Sequence, residues 1–184
     1  MNATTAAAPA NAPRRASAVF MRGHVAHWVA LGFGSGLSPW APGTVGTLWG
    51  WSAFLVAERL WPGLPWGWVI LVALGLGLWA CTVTAQHLGV SDPGAIVWDE
   101  VLAIWLVLWL LMPAGFWAQL LAFGLFRYFD AAKPGPVGWA DRLFKLKPGQ
   151  AIGWRQGVGI VLDDLVAALC TLLVLAVGVV LWRW

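Results

Sequence analysis

Trp98-Asp-Glu-Val-Leu-Ala-Ile-Trp-Leu-Val-Leu-Trp-Leu-Leu-Met-Pro-Ala-Gly115 reads as an apolar helix that opens on two acids and closes at a proline. Phe116–Ala131 resumes the helical pattern and carries Arg127-Tyr-Phe-Asp130 near its end, just before Lys133-Pro134. Proline lacks the N–H that an interior turn of helix needs, and it pushes the preceding residue out of the helical region. The two arms therefore predict an antiparallel helical hairpin turning near residue 114. Asp99 lies 15 residues before that turn and Asp130 lies 16 after it. At about 1.5 Å rise per residue the two are level to about one residue's rise. Asp99-Glu100 then faces Arg127 and Asp130, which are three apart and share a helix face.

The rest of the chain supplies the surroundings. Hydrophobic residues make up 60% of it and charged residues 10%, far from the mix of a soluble domain. The apolar residues come in runs, such as Leu102–Leu111 and Leu165–Trp182, and several of the sixteen tryptophans (Trp61, Trp66, Trp68, Trp182, Trp184) stand near run ends. This predicts an all-α, polytopic helical membrane protein of about four to five spans, including the hairpin around Pro113. Residues 1–23 read as a disordered cytoplasmic tail, and 24–184 as a single helical membrane domain carrying the chemistry. The expected spans are Thr44–Leu60, Trp66–Gln86, the two arms and Asp163–Trp182. Asp92-Pro93 supplies an N-cap and a first-turn proline, so the helix of the first arm is expected to begin there. Residues 134–158 read as a polar loop with room for a short surface helix.

With five spans beginning inside, nine of the eleven basic residues fall on the cytoplasmic side, as the positive-inside rule asks. A four-span layout, with residues 101–123 as one crossing, would instead put Asp99 and Asp130 on opposite faces. The formal charge of +3 carries no basic-aromatic footprint for nucleic acid. Cys81 and Cys170 have no partners at metal or redox spacing.

Charge near an apolar boundary is costly and is rarely kept without a pairing or functional reason. Clustered carboxylates without Cys or His suit hard cations, with Mg²⁺ the usual partner for phosphate chemistry. Asp99, Glu100, Asp130 and Asp163 or Asp164 are the candidate ligands. Arg127, Lys133 and Arg142 are candidate anion binders, arginine through its planar fork and lysine as a point charge. Lys145, Lys147 and Arg155 read as headgroup anchors. Gly32-Phe-Gly-Ser-Gly36 and Ala41-Pro-Gly-Thr-Val-Gly-Thr47 suit either a backbone nest for phosphate or close helix approach. Ser38, in the irregular stretch between them, is within reach of a substrate but has no neighbouring base. His24, His27 and His87 are given no role.

Four ordered blocks carry a resemblance. They are Gly32-Phe-Gly-Ser-Gly-Leu-Ser-Pro-Trp-Ala-Pro-Gly-Thr44, Asp92-Pro-Gly-Ala-Ile-Val-Trp-Asp-Glu100, Phe126-Arg-Tyr-Phe-Asp-Ala-Ala-Lys-Pro-Gly-Pro136 with Asp141-Arg142, and Gly157-Val-Gly-Ile-Val-Leu-Asp-Asp164. Together they resemble the phosphatidylglycerophosphatase A family over nearly everything from residue 24 onward. The resemblance implies a bacterial inner-membrane enzyme, active on the cytoplasmic side, that removes the terminal phosphate of phosphatidylglycerophosphate with Mg²⁺. It implies Asp99, Glu100, Asp130, Asp163 and Asp164 as catalytic and metal-binding residues. Its pattern also includes Arg127, Lys133, Asp141 and Arg142, expected toward the substrate, with Ser38 and Thr44 of the first block as further substrate-binding candidates. The stretch Leu143–Gln156 is longer than the family pattern.

Two rivals stand beside this expectation. An ion-coupled membrane transporter would want its charges near the bilayer middle, on discontinuous spans. A phosphotransferase using CDP-diacylglycerol would want the signature Asp-x2-Asp-Gly-x2-Ala-Arg, which the sequence lacks.

Overall fold

The structure is a computed structural model that describes residues 13–146 and 150–182. Its elements are α1 (Ala18–Arg22), α2 (Val25–Ala30), a 3₁₀ segment (Gly32–Leu37), α3 (Pro42–Leu60), α4 (Trp66–Leu88), α5 (Trp98–Leu111), α6 (Phe116–Ala132), α7 (Pro136–Leu143) and α8 (Trp154–Trp182). The described residues form an all-helical membrane protein.

α5 sits at the centre, packed chiefly between α3 and α8. Val101, Leu102, Ala103, Ile104, Val107 and Leu108 are all essentially inaccessible, so the first half of α5 is apolar on every side because it is covered there, while Trp109 and Leu110 near its end are exposed. On the outer helices the large apolar residues point outward instead, as with Leu71, Val72 and Leu76 on α4 and Leu169, Leu173 and Leu181 on α8. Among the described residues two helices are long and apolar enough to cross a membrane, Trp66–Leu88 and Trp154–Leu181. At 14 and 17 residues, α5 and α6 are shorter, about 20 to 25 Å against a hydrocarbon core of about 30 Å.

The hairpin forms as expected, with α5 and α6 separated by residues 112–115. A single crossing through residues 101–123 is thereby excluded. Lys133 ends α6 in the left-handed conformation (φ 45°), and Pro136 then occupies the first turn of α7. This tight reversal carries α7 back onto α8.

Other boundaries depart from expectation. α5 begins at Trp98 with Val97 as its N-cap, not at Asp92. The Ile96 N–H bonds to the Pro93 carbonyl and the Val97 N–H to the Ala30 carbonyl, so contacts to α2 outbid the local capping signal. α8 begins at Trp154, nine residues before Asp163. Part of the expected 1–23 tail is ordered, since Ser17 caps α1; residues 1–12 lie outside the described residues.

Trp66, expected at a membrane interface, is instead buried and donates to Glu58. Trp51, Trp98 and Trp105 likewise bond Gln119, the Ala73 carbonyl and the Gly50 carbonyl. A buried indole needs a partner for its N–H, and these supply one. The histidines also have structural partners: His27 bonds the Phe20 carbonyl and His87, which ties the N-terminal hook to the end of α4.

Small residues set the helix spacing. A Cβ on Gly43, Gly46 or Gly50 would strike Glu100, Val97 or Ile104 respectively, so this face of α3 lies directly on α5 and the loop before it. At Gly157 a Cβ would lie 2.0 Å from Thr82 Oγ1 and 2.9 Å from the Leu78 carbonyl, where α8 crosses α4. Valine at 157 should lower the melting temperature, since overpacking costs about 1–3 kcal/mol. Alanine at Gly178, which has open space, should be neutral or slightly stabilising. Thermal unfolding in detergent checks both.

Candidate active site

Asp99 and Glu100 stand in the first turn of α5, and Asp164 reaches them from α8. One carboxylate oxygen from each lies within 4.8 Å of the other two. Asp99 Oδ1, Glu100 Oε2 and Asp164 Oδ2 are buried without a hydrogen-bond partner. Asp130, near the end of α6, lies against Glu100 and Asp164. The hairpin brings Asp130 beside Glu100 at the level its register predicts, and α8, which is not part of the hairpin, adds Asp164.

Among the described residues their one close cation is Arg127. It pairs with Asp130 Oδ2 at 2.5 Å and Glu100 Oε1 at 3.7 Å, and donates to Thr47 Oγ1 at 3.3 Å. Thr47 in turn donates to the Gly43 carbonyl. A Cβ on Gly43 would sit 2.3 Å from Glu100 Oε1 and 3.0 Å from Arg127 Nη2. Only glycine lets the start of α3 lie on this ion pair. Four carboxylates against one guanidinium leave −4 + 1 = −3 if all are ionised. Leaving a buried charge unpaired costs several kcal/mol, so these carboxylates are balanced either by taking up protons or by a further cation. Oxygen-only donors at this spacing fit a hard divalent ion such as Mg²⁺.

Asp163 lies apart from this group. Successive residues on a helix point about 100° apart, and here the turn sends Asp163 to a second cluster. Lys133 Nζ bridges Asp141 Oδ1 and Asp163 Oδ2 at 2.6 Å each, and Lys145 reaches Asp141 Oδ2 at 2.6 Å. Of the five acids expected as ligands, Asp163 is thus occupied by a lysine. Lys145, read as a headgroup anchor, is a member of this network, while Lys147 lies outside the described residues.

Burial works against both members of the Lys133–Asp141 pair. The bonds to Asp141 and Asp163 nevertheless hold Lys133 above its ordinary value, and those from Lys133 and Lys145 hold Asp141 below the usual carboxylate range.

The remaining candidates are more peripheral. Arg142 is exposed at the end of α7. Thr44 is half-buried in the first turn of α3, beside Gly43. Ser38 is turned into a local loop, donating to the Trp40 carbonyl. Sequence reasoning missed Thr47 as the partner of Arg127, although its spacing of four from Gly43 places both on one helix face.

Fold and site define a helical membrane protein with a buried carboxylate centre where three of its helices meet. Residues 28–179 match the sequence model of the phosphatidylglycerophosphatase A family. The chain is 39% identical over 145 residues to phosphatidylglycerophosphatase A of Escherichia coli, covering 77% of this chain and 76% of that one. It is 39% identical over 151 residues to the enzyme of the same name from Haemophilus influenzae, covering 80% and 85%. A Bacteroides thetaiotaomicron protein provisionally named phosphatidylinositol-3-phosphatase is 33% identical over 163 residues, covering 85% and 92%. No solved structure matches. The chain belongs to the phosphatidylglycerophosphatase A family.

The lowered value of Asp141 has a stability consequence. A depressed carboxylate contributes fully above its unfolded value, about 3.9, and the contribution is lost as pH falls through the folded value. The stability gap between wild type and Asp141→Asn should therefore be constant from pH 5 to 8 and shrink below about pH 4. Chemical denaturation at stepped pH measures it, and a gap that grows on acidification would contradict the assignment.

Proposed function

We propose that the chain hydrolyses the terminal phosphate monoester of phosphatidylglycerophosphate at the Asp99, Glu100 and Asp164 centre, releasing phosphatidylglycerol and inorganic phosphate. The observation that carries the reading is the set of three buried, unpartnered carboxylate oxygens beside Arg127. Family membership supplies the substrate.

Asp99, Glu100 and Asp164 would hold Mg²⁺, which when bound polarises a phosphate oxygen and acidifies a water. Arg127 is fixed by Asp130, Glu100 and Thr47, so its remaining N–H groups are preorganised for phosphate oxygens as charge develops on them. Asp130 lies beside the trio, and its carboxylate is the group to accept the proton of an attacking water. Lys133, held by Asp141 and Asp163, keeps its charge across the working pH range and balances those two acids beside the centre. Exposed Arg142 suits the second, non-reacting phosphate of the lipid.

The protein would pass the membrane several times, with this centre on the cytoplasmic side of a bacterial inner membrane. The distribution of basic residues supports that orientation. An ion-coupled transporter fits less well, because the acids of α5 and α6 occupy a first turn and a last turn instead of mid-helix breaks. The Bacteroides relative's name cites a different phospholipid monoester. What the two names share is a phosphate on a lipid headgroup, so headgroup choice belongs to residues outside the carboxylate trio.

Purified protein should release phosphate from phosphatidylglycerophosphate micelles with Mg²⁺ and stop when a chelator is added. Asp99→Asn and Asp164→Asn should each lose at least about a hundredfold in kcat while melting like wild type, consistent with removal of charge-stabilising groups. No release with any divalent ion, or full activity in both variants, would overturn the reading.

A further inference from the structure

A second cavity, of about 200 Å³, opens beside the carboxylate centre and is lined by Ser91, Asp92, Asp141, Lys145, Gln156 and Asp163. It is too small for a whole lipid and suits a fragment of a headgroup. Its wall and that of the catalytic centre meet at one peptide unit, since Asp163 faces this cavity and Asp164 faces Asp99 and Glu100. The Cα atoms of neighbouring residues are about 3.8 Å apart and their side chains diverge by about 100°. A ligand seated at both places needs only a short linker.

The charge of this cavity argues against a phosphate seat. Asp92, Asp141 and Asp163 face one another there, against Lys145 and the bridging Lys133, giving −3 + 2 = −1. The polar groups are mixed: carboxylates that accept, a serine hydroxyl that does both, and a buried amide. Gln156 spends its carbonyl oxygen on the Gly153 N–H, so the amide N–H groups are what it can offer a ligand. Phe144 and Ile160 add apolar wall. Acceptors and donors interleaved over an apolar floor match a hydroxylated carbon chain, not an anion.

We propose that this cavity binds the hydroxyl-bearing glyceryl unit linking the two phosphates of the substrate, and that Ser91, Asp92 and Gln156 determine headgroup specificity. The proposal rests on the phosphatase reading. Phosphatidic acid carries the same kind of phosphate monoester but lacks this glyceryl unit. A site built to bond a substrate hydroxyl discriminates strongly against an analogue without it, because its own buried polar groups are left unpaired.

The test compares wild type with Ser91→Ala, Asp92→Asn and Gln156→Ala on phosphatidylglycerophosphate and phosphatidic acid in the same mixed micelles. Wild type should prefer phosphatidylglycerophosphate at least about tenfold in kcat/KM. Asp92→Asn and Gln156→Ala should each raise KM for phosphatidylglycerophosphate about tenfold with kcat within about threefold, so that the preference collapses. An equal loss on both lipids, an unchanged KM, or a wild type without preference would overturn the proposal. If phosphatidic acid is not turned over at all, the KM on phosphatidylglycerophosphate alone decides. Absence of turnover on either lipid would instead sink the phosphatase reading itself, and this inference with it.

Discussion

Three carboxylates gathered below the surface with too little positive charge around them are the constraint on which the rest of the molecule depends. Such a group is stable only if the scaffold forces it and something else balances it. The scaffold does so through the proline break at residues 112–115, which folds α5 back along α6, and through α8, which lies against both. α5 contributes two acids from its first turn, α6 contributes Arg127 and Asp130 from its last turns, and α8 closes the centre with Asp164. The buried residues of α5 directly after them, Val101 to Ile104, anchor that first turn in the core.

The same economy shows in α8. Asp163 and Asp164 are neighbours in sequence but serve two compartments, one closed by Lys133 and one left with an unpartnered oxygen. Lys133 can reach across because α6 ends in a left-handed residue and α7 starts at once with a proline. Gly43 has the complementary role on the other side, where the absence of a side chain lets α3 rest on the Glu100–Arg127 pair. Backbone geometry at these two positions therefore fixes electrostatics several residues away.

Much of this was legible in the sequence. Proline placement gave the hairpin, and the residue count on each arm gave the level at which Asp99, Glu100, Arg127 and Asp130 meet. Those are local rules acting on a long apolar pattern, where tertiary contacts have little to override. The start of α5 was not legible, because Asp92-Pro93 is a good local cap defeated by a local turn at Pro93 and the backbone bond from Val97 to Ala30 of α2. Asp163 could not be told from Asp164, since their separation depends on the rotation of α8 against α5. Trp66 looked like an interface anchor, yet it found an indole partner inside, as Trp51, Trp98 and Trp105 did, which no hydropathy pattern records. The glycine stretches had two physical readings, and at Gly43, Gly46 and Gly50 it is close helix approach that the packing requires.

The unpartnered oxygens of Asp99, Glu100 and Asp164 are expected to act as ligands for a divalent cation. Titrating detergent-solubilised protein with Mn²⁺ and following the free ion by electron paramagnetic resonance measures this without any substrate. Wild type and Asp163→Asn should bind Mn²⁺ saturably and with similar affinity, whereas Asp164→Asn should bind at least about tenfold more weakly. Equal binding by Asp164→Asn and wild type would contradict the account.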